Sequence, residues 1–100
     1  MPERTTLADL ADRPHADVFE TRRPQVVRLS LDADERVPRH THAGTNVVLH
    51  LLSGRVELTL DGGTYGRDAG DLIRFSGERE LSPYAVEPST AVVVFAPAES

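Results

Sequence analysis

From Asp17 to its end the chain is a succession of short β-prone runs broken by turn residues. That rhythm constrains the fold more than any other feature. "DVFE" comes first, and "QVVRLSL" follows and stops at "DADE". "RVPRHTH" runs to a turn at "AGTN", and "VVLHLL" ends at Ser53–Gly54. "RVELTL" leads into "DGG", where Asp-Gly and Gly-Gly tolerate the positive φ of primed hairpin turns. "TYGR", "DLIRF", "LSPYAV" and "TAVVVFA" complete about nine short strands. No alternation with helical segments is visible, so the expectation is an all-β domain, a small antiparallel sandwich or barrel.

The strands differ in character. In "RVELTL" the apolar Val56, Leu58 and Leu60 alternate with Arg55, Glu57 and Thr59, the pattern of a strand with one wet face. "VVLHLL" and "AVVVFA" are apolar on both faces and need cover on the outside. That cover is either the N-terminal segment or a second subunit, and a homodimer is the favoured expectation. Residues 1–16 read as a separate short arm, with residues 17–100 as one domain. Thr6 is placed to cap a turn carrying Leu7 and Leu10, which Pro14 would end. His15, just after Pro14, is expected to be solvated.

Several function classes are set aside by composition. The chain has 100 residues and no cysteine, so disulfides and thiolate metal sites are excluded. Its net charge is -5 and its arginines are scattered, so no basic stripe invites nucleic acid. No apolar run approaches a membrane span, and "MPERTTLADLADRP" is too polar for a signal peptide, so a cytoplasmic protein is expected. No nucleophile elbow or phosphate-cradling glycine loop is present.

The chemistry-bearing feature is "RHTH". On a strand, His40 and His42 would point to one face, where two imidazoles can share a metal ion. Asn46 and Glu80 are candidate additional ligands, Glu80 only if a bulge or a one-residue slip turns it inward. If Val47 faces inward, Leu49 and Leu51 share its face and His50 looks the other way. If Asn46 faces inward, His50 does too. Without a metal, His40 and His42 would line a pocket and hydrogen-bond a ligand or water, or stand as ordinary strand histidines. Arg55 and Arg74 read as solvated residues, although either could clamp an anionic ligand.

These residues resemble the cupin superfamily, whose first motif reads G-x5-H-x-H-x3,4-E-x6-G. Asp34 stands at the leading Gly, His40 and His42 at the histidines, and Gly54 at the closing Gly. The position of the motif's glutamate falls on Val47, or on Asn46 by the shorter spacing. The second motif, G-x5-P-x-G-x2-H-x3-N, opens at Gly70 and then meets Ser76, Glu78, Leu81 and Ala85 in place of its Pro, Gly, His and Asn. The resemblance implies a jelly-roll (double-stranded β-helix) barrel with a short N-terminal arm. Its pocket would carry His40 and His42 on the wall and a lining of Val47, Leu49, Leu51, Ile73, Phe75, Leu81, Tyr84 and Val94. It also implies one divalent transition metal (Zn, Mn, Ni, Fe or Cu), although only two of the family's four ligands are kept. The reading ranked first is a pocket that binds or senses a small molecule, with a weak metal site included. A metal-dependent dioxygenase or isomerase is the alternative, and a non-catalytic interaction module the second alternative.

Overall fold

The computed structural model describes residues 5–19 and 24–98. Among them are eight strands: β1 (His15–Asp17), β2 (Gln25–Leu31), β3 (Thr45–Ser53), β4 (Arg55–Leu60), β5 (Gly63–Asp68), β6 (Leu72–Ser76), β7 (Leu81–Ala85) and β8 (Ser89–Pro97). One 3-10 turn at Leu7–Asp9 precedes them. Glu20, at the end of the expected first strand, and the Arg22–Arg23 pair lie outside the described residues.

Two antiparallel sheets form a jelly-roll sandwich, one ordered β1-β2-β8-β3-β6 and the other β5-β4-β7. Leu29, Leu31, Val47, Leu49, Leu51 and Phe75 of the larger sheet pack against Val56, Leu58, Leu60, Leu81 and Ala85 of the smaller. Burying each such aliphatic side chain stabilises the fold by roughly 1.5–3 kcal/mol. The alternation in β4 is realised as written: Val56, Leu58 and Leu60 are buried, and Arg55 and Glu57 are exposed. The "DGG" hairpin forms with Asp61 (φ 49) and Gly62 (φ 87) between the paired Leu60 and Gly63. At Gly54 (φ 89) a Cβ would stand 2.2 Å from Ser89 Oγ and 2.4 Å from the Pro88 carbonyl, so only glycine closes β3 onto β4. Asp34 also has positive φ (66), the left-handed conformation that suits the glycine of the resembled motif.

Three expectations are corrected. "RVPRHTH" is not a regular strand: it meets β7 through isolated bridges at Arg36–Tyr84 and His40–Leu81 and single bonds such as Val37 N–H to the Pro83 carbonyl, with no continuous ladder. Pro38 sits between the two bridges and has no N–H to give a ladder. The first strand is His15–Asp17 rather than "DVFE", so it straddles the expected boundary between arm and domain. Thr6 precedes the first turn, but its side chain makes no capping bond.

The arm crosses the outer face of β2. Arg28, only 8% exposed, is the anchor: its guanidinium donates to the carbonyls of Asp12 (2.7 Å), Leu7 (3.5 Å) and Leu10 (3.5 Å). Arg13 adds bonds to the Ser30 carbonyl (2.9 Å) and Glu35 (3.2 Å). The middle of the same face is half-covered. Val26, Val94 and Val48 lie in one row across β2, β8 and β3, all of intermediate burial. No helix among the described residues is long and apolar enough to cross a membrane.

Candidate functional site

Between the sheets, at one end, is a chamber of about 220 Å³. Period-2 alternation sets its wall: Val27 and Leu29 from β2, Val47 and Leu49 from β3, Val93 and Phe95 from β8, and Leu81 and Pro83 from β7. Its polar groups are His15, Asp17, Gln25, His40 and His42.

His40 is held along β7. Its N–H donates to the Leu81 carbonyl (3.1 Å), and the Leu81 N–H donates back (2.9 Å). The His40 Nδ1–H donates to the Pro38 carbonyl at 2.8 Å. A carbonyl can only accept, so Nδ1 carries the proton and Nε2 stays free to accept a proton or bind a ligand. His42 is fixed by a different clamp. Its N–H donates to the Gly77 carbonyl (2.7 Å), the Gly77 N–H donates to the Thr45 carbonyl (2.8 Å), and the Thr45 hydroxyl donates to the His42 carbonyl (2.6 Å). Gly77 is buried, and a Cβ there would stand 2.2 Å from the His42 carbonyl oxygen. The two rings meet edge to face with centroids 4.7 Å apart, and His42 packs on Phe95 at 4.4 Å.

His15 is the residue that sequence reasoning missed. It is exposed, yet the pairing of His15 with Leu29 carries it to the chamber's mouth. Burial pushes its imidazole below the usual value, and charge on His40 adds to the shift. Burial likewise lowers His42, followed by the charges of His40 and His15. The three imidazoles therefore sense one another electrostatically.

The other expected residues separate by face. Val47, Leu49 and Leu81 line the chamber, while Leu51 and Phe75 lie in the core beyond it and Ile73 packs against that core. Val94 is corrected: Val93 and Phe95 take the chamber side, and Val94 points outward beside Val26 and Val48. Tyr84 is corrected as well. It alternates with the buried Pro83 and Ala85 and stands on the outer side of β7, where its hydroxyl donates to Asp34 under the Arg36 guanidinium. That bond raises the Tyr84 pKa, with burial and the charges of Asp34 and Glu57 adding and Arg36 opposing. His50 pairs with Val92 and Leu72 on the outer face, away from the chamber.

Neither candidate extra ligand reaches the histidine pair. Asn46 shares the outer face of β3 with Val48 and His50. Glu80 is exposed in the turn before β7, its N–H bonded to the Asp61 carboxylate (2.9 Å), and no bulge turns it inward. Among the described residues no group of three or more His, Asp or Glu is arranged to hold a metal ion. The position of the resembled motif's glutamate is Val47, fully buried in the wall, and that of its last histidine is Leu81, bridged directly to His40. Two imidazoles against an aliphatic wall do not fit a resident four-ligand centre.

The sequence matches the model of the cupin domain family over residues 27–96. The chain belongs to the cupin family. No curated protein matches the sequence. Among solved structures, an RmlC-like cupin from Shewanella frigidimarina superposes with a TM-score of 0.82 at 14% identity, covering 100% of this cupin and 95% of that chain. KdgF from Halomonas sp. follows with 0.78 at 21% identity, covering 92% and 88%. A conserved protein of unknown function from Streptococcus pyogenes gives 0.76 at 24% identity, covering 89% and 80%. At these identities the likeness concerns the jelly roll alone. The match begins at residue 27, so His15, Asp17 and Gln25 of this cupin's chamber lie before it.

Proposed function

We propose that this cupin binds a small molecule in the chamber between its sheets without catalytic turnover. The observation that carries the reading is the chamber's make-up, an aliphatic and aromatic wall with a few polar groups at one end. This is the usual composition of small-ligand sites. A volume of about 220 Å³ exceeds the roughly 150 Å³ that holds benzene in an engineered cavity, so a body of about six to ten heavy atoms is accommodated. Titration with small apolar alcohols and amides, followed by amide NMR shifts, tests it. Shifts should cluster on β2, β3 and β8 and vanish in Val93→Phe, whose larger ring occupies the space. Shifts spread over the outer face, or unaltered in Val93→Phe, would sink the reading.

A metal-dependent enzyme of dioxygenase or isomerase type is the second reading. The His40–His42 approach and the Nδ1 anchoring of His40 favour it, and the absent carboxylate and third histidine weigh against it. Untagged protein that retains a stoichiometric Zn, Mn, Ni, Fe or Cu ion, lost in His40→Ala, would reverse the order of the two readings.

We further propose a homodimer through the outer face of the larger sheet, in a protein that works in the cytoplasm. The valine row and the exposed Leu72 (63%) and Leu52 (40%) support the dimer. A monomer mass by light scattering, unchanged between wild type and Val94→Arg, would refute it.

A further inference from the structure

We propose that the chamber's ligand is a small primary amine, its apolar body in the chamber and its ammonium group at the Asp17 carboxylate. This rests on the ligand-binding reading above and adds the chemical class. The argument starts from the balance of donors and acceptors at the mouth. Gln25 turns its Nε2 to Asp17 Oδ1 at 3.2 Å, which leaves Gln25 Oε1 and Asp17 Oδ2 as acceptors. His40 uses its Nδ1–H on the Pro38 carbonyl at 2.8 Å, which leaves Nε2 as the acceptor of the neutral ring. Among the described residues no hydrogen bond reaches these three atoms. On the donor side stands the second N–H of Gln25. His15 and His42, as neutral rings, each bring one donor and one acceptor, so the excess of acceptors is unchanged. Asp17 is also the only Asp, Glu or Arg among the described residues of the chamber lining, so the chamber's formal charge is negative. Arg39 lines the groove outside the mouth and not the chamber, and it is exposed to screening solvent.

An alkylammonium carries three N–H donors and no acceptor, the complement of such a mouth. Its bond to Asp17 is charge-assisted, about twice as strong as a neutral one. An uncharged alcohol brings a donor without the charge, and so binds less tightly. A carboxylate would meet Asp17 as a like charge and find too few donors. A sugar would strand its hydroxyls against the wall of Val27, Leu29, Val47 and Val93, which suits only an apolar body. Asp17 and Gln25 both precede residue 27, where the family match begins, so the preference for an amine belongs to this chain's own N-terminal segment.

Calorimetric titration of the full chain with hexylamine, 1-hexanol and hexanoate tests the assignment, since the three share a body and differ in head. At about pH 8 an alkylamine is protonated and a carboxylic acid ionised. Hexylamine should bind about ten-fold tighter than hexanol, and hexanoate more weakly than either. Asp17→Asn, at an exposed position of an edge strand, should weaken hexylamine about ten-fold and leave hexanol nearly unchanged. If hexanol or hexanoate binds as tightly as hexylamine, or if the preference survives Asp17→Asn, the amine assignment is wrong and the chamber still binds ligands. If none of the three binds, the chamber reading fails and the amine assignment with it.

Discussion

The chamber's rim has two lips of different construction. One is the segment Val37–His42, laid against β7 and the Gly77 turn. The other is β1, a three-residue edge strand tied down from behind by the arm. The first lip is held by backbone bonds at His40–Leu81 and His42–Gly77, and by the Ser82 hydroxyl donating to the Val37 carbonyl at 2.6 Å. It lies within the matched family region, and its histidines follow the family's spacing. The second lies before that region, pairs with β2 over three residues, and is backed by an arm fastened through the Arg28 guanidinium and the Arg13 bonds. The contrast separates a part of the pocket that the barrel cannot do without from a part appended to it.

Substitutions that damage one lip and spare the other test this division. Gly77→Ala should have the largest effect. Its methyl would press on the His42 carbonyl and the Thr45 hydroxyl, so backbone must move, at a cost of about 3 kcal/mol, or a fall in Tm of about 15 °C. A melting curve like that of wild type would show that the first lip is not built into the core. Arg28→Ala comes next, expected near 2 kcal/mol from lost charge-assisted bonds to three carbonyls. Amide exchange at Val18 and Ser30, whose N–H groups donate to the Val26 and Pro14 carbonyls, should accelerate while β3, β4 and β7 keep their amide protection. Equal loss of protection everywhere would mean that the two lips are one cooperative unit.

Leu81→His combined with Val47→Glu is expected to act more weakly and with opposite sign. Both positions line the chamber beside the histidine pair, so the double variant should gain a Zn-dependent rise in Tm of about 5 °C that wild type lacks. No response in the double variant would place the first lip's histidines out of reach of Val47 and Leu81. The smallest effect is pH dependence. His15 and His42 have folded pKa values below 6.5, so the unfolded chain takes up their protons first. Their contribution to stability is complete above about 6.5 and is lost as pH falls through the lowered folded values. His42→Gln should flatten part of that acid-side decline in Tm, and an unchanged slope would dissociate His42 from it.

The same two lips mark what the sequence could reveal. β4 was readable because its polar residues mark the wet face, and β3 because placing Val47 inward turns His50 outward. β8 carries no such marker. Val92, Val93 and Val94 are chemically identical, so an expectation built on Val94 fell one residue away from the inward pair Val93 and Phe95. Tyr84 misled for a related reason: an aromatic ring in an apolar run reads as pocket wall, yet its hydroxyl is satisfied by Asp34 outside. Pro38, with no N–H to give a ladder, interrupts "RVPRHTH", a signal that the strand reading did not use. His15 gave no local signal at all. A histidine after proline in a polar arm reads as solvated, and its place at the mouth arises from pairing with β2 fourteen positions along the chain.

The Arg28 anchor has a further consequence. It grips the arm through the carbonyls of Leu7, Leu10 and Asp12, and a carbonyl is the same group whatever side chain its residue carries. The latch is therefore blind to the side chains it fastens. Residues 5–12 can drift in sequence, or be exchanged for those of a related protein, while the strand behind them still docks at the mouth. The β1 lip of the mouth becomes a detachable part, one that selection or an engineer can rewrite without reopening the barrel.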